Sequence, residues 1–143
     1  MDQLSMFLPR ADWRPPTELP DLSSANIISL DVETSDPNLL KSGPGGVRHD
    51  GKLVGISVAT DTGYCGYFPI AHEGGGNLDK GVVLRWFKKE IAKHPADKVF
   101  YNAPYDVGWL KRSGVELEGK LIDVMLGAPI LNENRFNYSL NTV

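Results

Sequence analysis

The stretch that decides the fold is NIISLDVE, residues 26–33 of a chain of 143 residues. It is apolar and rich in β-branched side chains, which is typical of a central β-strand. The stretch ends on two acids, Asp31 and Glu33. Because side chains alternate across a strand, residues two apart point to the same face. The sequence therefore predicts a strand in the middle of a sheet, with two neighbouring carboxylates near its carboxyl end.

Two further strands are predicted to follow the first. They span Leu53–Thr60 and Tyr64–Ile70, and residues 61–63 form the turn between them. Strands joined in this meander order are predicted to pair antiparallel. The polar stretch Thr34–Lys52 is rich in Gly and Pro and predicts a long loop, and loops of that length in a compact domain are usually functional or mobile.

Helices and strands alternate in the rest of the chain. A helix is predicted from Leu78 to about Lys93 with Asn77 as its cap, because its apolar residues recur at helical spacing. A short strand at residues 98–101 comes next. A second helix opens at the Asn-Ala-Pro sequence of residues 102–104, where Pro suits the first turn, and runs to about Arg112.

The last predicted elements are short. Leu121-Ile122 predicts a fifth strand, and Asp123 is interpreted as the cap of a helix through Leu131 rather than as a further catalytic acid. Residues 136–143 predict the start of another helix. The element order describes an α/β fold with a mixed sheet, three antiparallel strands followed by parallel strands, flanked by helices. Right-handed crossovers place the fourth strand beside the first.

A third acid, Asp106, is predicted to lie near the first strand, residues 26–33. It comes one helical turn after Asn102, so both face the same way, and the predicted strand order brings that face towards Asp31. Carboxylates at an apolar strand are costly unless positive charge joins them. Mg²⁺ and Mn²⁺ prefer oxygen ligands and commonly bind through one or two carboxylates. The acids therefore predict a site for divalent cations.

The composition sets limits on the class of protein. Hydrophobic residues make up 41% of the chain and charged residues 23%, which is typical of a globular domain. The net charge of −3 lacks the basic balance that often marks a nucleic-acid binder, and it argues mildly against such a partner. The single cysteine, Cys65, excludes an internal disulfide, and we expect it to be buried in its strand.

The N-terminal part of the chain differs from the rest. Residues 1–24 hold several prolines and no regular period, so they predict an extended leader before a domain at residues 25–143. No signal peptide and no run of about 20 apolar residues is recognisable, which favours a cytoplasmic protein without a membrane partner.

Three segments, in this order, resemble the motifs of a known family. Leu30-Asp31-Val32-Glu33-Thr34 resembles the first motif of the DEDD exonucleases, and Asn102-x-x-Tyr105-Asp106 resembles the second. Residues 123–132 are similar to the segment between the second and third motifs. Over about residues 25–143 the pattern is most similar to the proofreading 3′–5′ exonuclease domain of family A DNA polymerases, particularly those of phages.

The resemblance implies a ribonuclease-H-like fold and hydrolysis of the 3′-terminal phosphodiester of DNA, assisted by two divalent metal ions, Mg²⁺ or Mn²⁺. It implies that Asp31 bridges both ions, that Glu33 holds the ion that activates the water, and that Asp106 serves the second ion. The implied partners are the 3′ end of single-stranded DNA and a polymerase domain in the same parent chain. The implied location is the cytoplasm of a bacterium or of a phage-infected host.

Three further residues match positions that bind the substrate in the family, namely Thr34, Asn102 and Tyr105. One position departs from the family pattern. The family completes its site with a fourth carboxylate and, four residues before it, a Tyr or His on a later helix. Tyr138 is followed four residues later by Thr142, which is not an acid. We therefore expect the third motif to lie beyond this sequence, and we expect weak or absent activity from these residues alone.

Two alternative functions stay open at this point. An RNA 3′-exonuclease similar to ribonuclease D has the same motifs, although the Gly- and Pro-rich insertion and the Asn-Ala-Pro-Tyr-Asp sequence favour the polymerase-linked form. A catalytically silent exonuclease-like module that positions DNA is the other alternative. Its mark is the loss of metal-binding acids, and the three acids present argue against it.

Overall fold

A computed structural model of the chain describes residues 13–142. Its centre is a five-stranded sheet with the strand order β3-β2-β1-β4-β5. The strands are β1 (Ile27–Ser35), β2 (Lys52–Thr60), β3 (Cys65–Pro69), β4 (Asp97–Phe100) and β5 (Leu121–Asp123). The helices are α1 (Leu39–Ser42), α2 (Gly45–Arg48), α3 (Lys80–Phe87), α4 (Ala103–Arg112) and α5 (Val124–Leu131).

The sheet is mixed, as the sequence predicts. The pairs β1–β2 and β2–β3 are antiparallel, whereas β1–β4 and β4–β5 are parallel. The fourth strand lies beside the first and parallel to it, as the preference for right-handed crossovers predicts. The prediction of an α/β mixed sheet flanked by helices is therefore confirmed, with strand bounds that differ by only a few residues.

The alternation along β1 separates a core face from an exposed face. Ile28, Leu30 and Val32 are buried, whereas Asp31 and Glu33 between and beyond them are exposed. The core packs these β1 residues against large side chains from the neighbouring elements. They include Phe68, Trp86, Phe87, Trp109 and Leu110. The exposed side, which we call the acidic face, therefore carries the two carboxylates at the centre of the sheet.

The first long helix begins later than predicted. Its cap is Asp79, whose Oδ1 accepts a hydrogen bond of 2.8 Å from the Val82 N–H. Asn77, the predicted cap, instead exchanges two hydrogen bonds with the backbone of His72, at 2.7 and 2.8 Å. After α3 the helix continues as a π-helical turn at Lys88–Ala92. Val82, expected on the apolar face, is 44% exposed.

Three more expectations are wrong in the described part of the chain. The predicted loop between β1 and β2 contains the one-turn helices α1 and α2. Cys65 is exposed, because it lies on the acidic face at the start of the edge strand β3. Residues 136–142 are not helical, and their apolar side chains Phe136 and Leu140 are exposed.

The N-terminal segment reaches the core only near its end. Residues 13–24 contain no helix or strand, and residues 1–12 of the predicted leader lie outside those that the structure describes. Leu22 is buried, and the indole N–H of Trp86 donates a hydrogen bond of 2.8 Å to the Pro20 carbonyl. No helix among the described residues is long and apolar enough to cross a bilayer.

Candidate active site

Asp31 and Glu33 lie side by side on the acidic face, as the sequence predicts. Asp31 is opposite Ser57 of β2, and Glu33 is opposite Gly55. The register between the strands shifts directly after Glu33, at Glu33/Thr34. Such a bulge turns the next side chain in a new direction, and the hydroxyl of Thr34 contacts Tyr105 of α4.

Asp106 lies in the first turn of α4 and is buried, with only 3% of its surface exposed. Its Oδ1 accepts a hydrogen bond of 2.9 Å from the backbone N–H of Val32. The pairing of β1 with β4 ends at Ser29, so this side of β1 is free of a strand partner at Val32. The helix therefore supplies the hydrogen-bond acceptor that the short strand β4 does not.

The surroundings of the acids raise two pKa values. Burial raises the pKa of Asp106 to about 6, and the nearby charges of Asp31 and Asp123 add to that effect. The hydrogen bond from Val32 acts in the opposite direction, because it favours the ionised form. Burial also raises the pKa of Asp31. Asp31 and Asp106 are thus close enough to interact electrostatically, and a cation between them would relieve their repulsion.

Glu33 lies near the edge strand β3 as well as near Asp31. Its charge acts on Tyr67 of β3, whose pKa is raised mainly by burial and further by Glu33. Within residues 13–142, no group of three or more Asp, Glu, His or Cys side chains is gathered as a preformed metal site. Carboxylates repel one another, so three of them come close together only when a cation joins them. The chemistry of the acids fits hard divalent cations, which take oxygen ligands.

Two of the predicted substrate-binding residues are in direct contact. The Thr34 hydroxyl lies 2.7 Å from the Tyr105 hydroxyl, and either can donate the hydrogen bond. The third, Asn102, is exposed and caps α4 with a left-handed backbone, φ 68°. Its backbone N–H donates to Asp123 Oδ1 at 3.0 Å. The structure thus joins Thr34 to Tyr105 and holds Asn102 at the helix terminus that also carries Asp106.

Asp36 lies in the stretch of residues 34–52 that the sequence predicts to be a loop, and it takes part in the site. Its side chain is 3% exposed, and Oδ2 accepts a hydrogen bond of 2.8 Å from the Gly45 N–H. The Tyr105 hydroxyl lies 3.4 Å from the same oxygen. Arg48 pairs with Oδ1 at 3.3 Å. The only sequence signal for this arrangement is an Asp and an Arg that lie twelve residues apart, on either side of a Gly-rich segment.

A second arginine fastens the loop between β1 and β2 to the helix that carries Asp106. Arg112, in the last turn of α4, donates to the carbonyls of Gly45, at 3.1 Å, and of Asp50. Its guanidinium also lies 5.2 Å from the centre of the Trp109 ring, a cation–π arrangement. The loop therefore has a defined path over α4 and holds Tyr105 beside Thr34.

Asp123 is a cap, as predicted, and it serves two helices. Its Oδ1 accepts from the Met125 N–H at 2.9 Å, which caps α5. The two oxygens also accept from the N–H groups of Asn102, at 3.0 Å, and Ala103, at 2.9 Å, at the start of α4. This one carboxylate therefore fixes the terminus from which Asn102 and Asp106 project.

The sequence is related to DNA polymerases. No protein-family model matches the chain. It is 37% identical over 138 residues to a DNA-directed DNA polymerase of Pseudomonas phage M6, and the match covers 93% of this chain and 21% of the relative. It is 27% identical over 130 residues to DNA polymerase I of Pseudomonas aeruginosa, covering 87% of this chain and 13% of the relative. The chain thus spans a fifth of these polymerases or less.

The fold has relatives among solved structures. Brucella melitensis NrnC superposes with a TM-score of 0.60 at 16% identity, and the match covers 87% of this chain and 54% of that one. The structural neighbours are DEDD-type exonucleases with a ribonuclease-H-like fold. The chain shares the ribonuclease-H-like fold of these neighbours, and the predicted fold class is confirmed. In sequence, it is homologous to a segment of phage and bacterial DNA polymerases.

Proposed function

We propose that the chain is the 3′–5′ exonuclease domain of a DNA polymerase and removes the 3′-terminal nucleotide of a DNA strand by hydrolysis. The observation that carries the proposal is the electrostatic interaction between Asp31 and Asp106 at the centre of an exonuclease fold. The hydrogen bond from the Val32 N–H to Asp106 holds Asp106 beside β1, one residue from Asp31. The homology to DNA polymerases supports DNA as the substrate.

The proposed cofactors are two divalent metal ions, Mg²⁺ or Mn²⁺, held by Asp31, Glu33 and Asp106. Two such ions about 3.5–4 Å apart supply an activated water and stabilise the leaving oxygen of an in-line displacement. The Brucella protein of the same fold has been solved with bound Mg²⁺, which is consistent with this choice. Burial raises the pKa of both Asp31 and Asp106, and the charge of Asp31 raises the pKa of Asp106 further. A cation that joins these two carboxylates would relieve their repulsion.

The remaining residues act on the substrate and on the geometry of the site. Thr34, Tyr105 and Asn102 are proposed to contact the terminal nucleotide, since all three lie around the Asp106 end of α4. Asp36 and Asp123 are positioning residues. Asp36 holds the Tyr105 hydroxyl beside Thr34, and Asp123 fixes the backbone at the start of the helix.

The proposed context is a longer polypeptide. The polymerase relatives extend far beyond the matched segment, so we propose that residues 25–143 form part of an exonuclease domain linked to a polymerase domain. The fourth carboxylate of the family pattern is proposed to come from that longer chain. The proposed partner is the 3′ end of single-stranded DNA, and the proposed location is the cytoplasm of a bacterium or phage-infected host.

The proposal is tested with the product of the complete reading frame. DNA strands labelled at the 5′ end are incubated with Mn²⁺ or Mg²⁺, and a ladder that shortens one nucleotide at a time from the 3′ end is expected. Asp31→Asn and Asp106→Asn are expected to lower the rate at least 100-fold, because each removes a charge that holds the cations. Asp97→Asn, at the exposed opposite end of the sheet, is the matched control and keeps the rate.

The outcomes separate the alternatives. Shortening of RNA in preference to DNA supports the ribonuclease D-like alternative. DNA binding without any metal-dependent shortening supports the silent DNA-positioning module. If the Asp31→Asn variant cleaves as fast as the unmodified chain, the assignment of the reaction centre is wrong.

A further inference from the structure

A tyrosine of β3 shares the acidic face with the candidate catalytic acids. In the register of the sheet, Asp31 is opposite Ser57, and Ser57 is opposite Tyr67. Residues directly opposite one another in antiparallel strands point to the same face. Neighbouring strands lie about 4.8 Å apart, so Tyr67 stands roughly 10 Å from Asp31 across this face.

The ring of Tyr67 leans towards Glu33. Glu33 is opposite Gly55, and a Cβ placed on Gly55 would lie only 2.0 Å from the Tyr67 hydroxyl. The phenol thus occupies the space in which a side chain of residue 55 would stand, next to Glu33. The influence of the Glu33 charge on the Tyr67 pKa agrees with this proximity. Because residue 55 is glycine, the aromatic ring of Tyr67 fits beside Glu33.

Two more aromatic rings surround Tyr67. The Trp13 ring lies 5.7 Å from it, centre to centre, and the His72 ring lies 5.8 Å from it at an interplanar angle of 70°. His72 Nε2 and the Tyr67 hydroxyl are 2.5 Å apart, and the two backbone hydrogen bonds from Asn77 hold His72 in place. Trp13 is 54% exposed. His72 is thus held in position, and the ring of Trp13 remains accessible.

These rings line an open cleft of about 410 Å³. Its remaining walls are Pro15, Pro69 and the backbone of residues 74–76. Ligand sites have volumes of about 300–1,000 Å³, and aromatic faces bind flat rings by stacking. The charge of Glu33 acts on Tyr67 in this cleft, so an uncharged ring suits the cleft better than an anionic group does.

We propose that the Trp13–Tyr67–His72 cleft binds an unpaired nucleobase of the single strand whose end lies at Asp31 and Glu33. The proposal rests on the proposed function for the identity of the ligand, and it adds a base-binding subsite on β3 that none of the sequence motifs includes. It explains why three aromatic rings meet on the acidic face of an edge strand, where packing against the core does not require them.

Binding is measured on the 143-residue chain in EDTA, so that it does not depend on hydrolysis. A short dye-labelled oligothymidylate is followed by fluorescence anisotropy, and quenching of tryptophan emission gives a second readout. Trp13 is the exposed tryptophan, whereas Trp86 and Trp109 are 9% and 1% exposed, so quenching reports on the cleft. Tyr67→Leu and Trp13→Leu are each expected to weaken binding by about 5- to 150-fold, as loss of one stacked base does.

Two controls make the test specific. Phe136→Ala removes an even more exposed aromatic ring, 107% against 54% for Trp13, that lies outside the cleft, and this variant is expected to bind like the unmodified chain. An abasic strand with the same phosphates tests for the bases themselves and is expected to bind weakly. His72→Ala is a further variant at an exposed position, where loss of the fold is not expected.

Each result bears on the proposal in a definite way. Equal affinity for the abasic strand, unchanged affinity of both Tyr67→Leu and Trp13→Leu, or no binding by the unmodified chain would overturn the cleft assignment. None of these results depends on cleavage, so the exonuclease function can fail in its own assay while the cleft is supported, and the reverse also holds.

Discussion

The backbone N–H of Val32 donates a hydrogen bond of 2.9 Å to Oδ1 of Asp106, across 74 positions of sequence. This bond joins the central strand to α4 one residue from Asp31. A buried carboxylate that accepts a backbone hydrogen bond is both a structural link and a charged group without a cationic partner among the contacts described for it. The stability and the metal response of the protein are therefore expected to depend on the ionisation of Asp106.

The first prediction concerns pH. The pKa of Asp106 is about 6 in the folded chain against an ordinary value of 3.8, so folding favours its protonated form. The stability from this group is fully present below about pH 4 and is lost as the pH rises through about 6. Asp106→Asn keeps an acceptor for Val32 and never ionises. At about 1.4 kcal/mol per pKa unit, its free energy of unfolding at pH 7.5 should exceed that of the unmodified chain by on the order of 3 kcal/mol.

Urea unfolding at several pH values between 5 and 7.5 measures this difference. The gap between the two proteins should widen as the pH rises, from roughly half of its full size at pH 5 to nearly its full size at pH 7.5. The charges of Asp31 and Asp123, which face Asp106, are present in both proteins. Parallel pH profiles would show that Asp106 ionises normally.

The second prediction concerns divalent cations. A cation held by Asp31 and Asp106 replaces their repulsion by attraction, so Mn²⁺ should raise the melting temperature of the unmodified chain. A ligand at 100 times its dissociation constant adds about 2.7 kcal/mol to stability. The effect should be larger at pH 7.5 than at pH 5, because protonated acids bind metal poorly.

Calorimetric titration and thermal unfolding in Mn²⁺ and in EDTA provide the measurement. Asp31→Asn should abolish most of the response. Asp61→Asn, whose carboxylate accepts a hydrogen bond from the Asn26 N–H at the opposite end of the sheet, is the matched control and should respond like the unmodified chain. An equal Mn²⁺ response in all three proteins would place the cation elsewhere.

The third prediction concerns the hydroxyl pair. Thr34→Val and Tyr105→Phe each remove one partner of the 2.7 Å hydrogen bond and should each cost about 1 kcal/mol of stability. Because both variants break the same bond, the double variant should cost less than the two single costs together. Urea unfolding of the four proteins gives the coupling energy, and strict additivity would mean that the hydroxyls are not bonded in solution.

The fourth prediction concerns Asp123. Asp123→Ala removes acceptors for three backbone N–H groups at the starts of two helices. Loss of one cap costs about 0.5–2 kcal/mol, so this substitution should cost about twice as much as the loss of a single cap. Asp79→Ala removes the cap of α3 alone and is the control. Equal costs in thermal or urea unfolding would mean that Asp123 serves only one helix.

The fifth prediction concerns the loop that crosses α4. A Cβ on Gly45 would lie 2.6 Å from Asp50 Oδ1 and 2.8 Å from Asp36 Oδ1, so Gly45→Ala should displace the loop and cost about 1–3 kcal/mol. Gly108→Ala, within α4, meets nothing within 4 Å and should stabilise the chain by about 0.5–1 kcal/mol. Limited proteolysis of the loop should speed up only in the first variant. If proteolysis cuts the loop at the same rate in both variants, the loop tolerates the methyl group at position 45.

Much of the fold follows from local patterns. The alternation in residues 26–33 predicts both the strand and the common face of Asp31 and Glu33, because the period of a strand is fixed by its backbone geometry. The start of α3 was wrong by two residues, because Asn77 and Asp79 are both good caps. The nearby His72 backbone engages Asn77, which leaves Asp79 to the helix.

In the candidate site, too, some features follow from the local sequence and others only from the tertiary structure. The sequence by itself determined the strand, its two acids and the helix that carries Asp106, since these depend on residues close together in the chain. Only the tertiary structure decided that Asp106 reaches Val32, that Asp36 is buried against Arg48, and that Tyr67 covers Gly55. Those contacts depend on strand register and on loop paths, which are set by the packing of residues far apart in sequence.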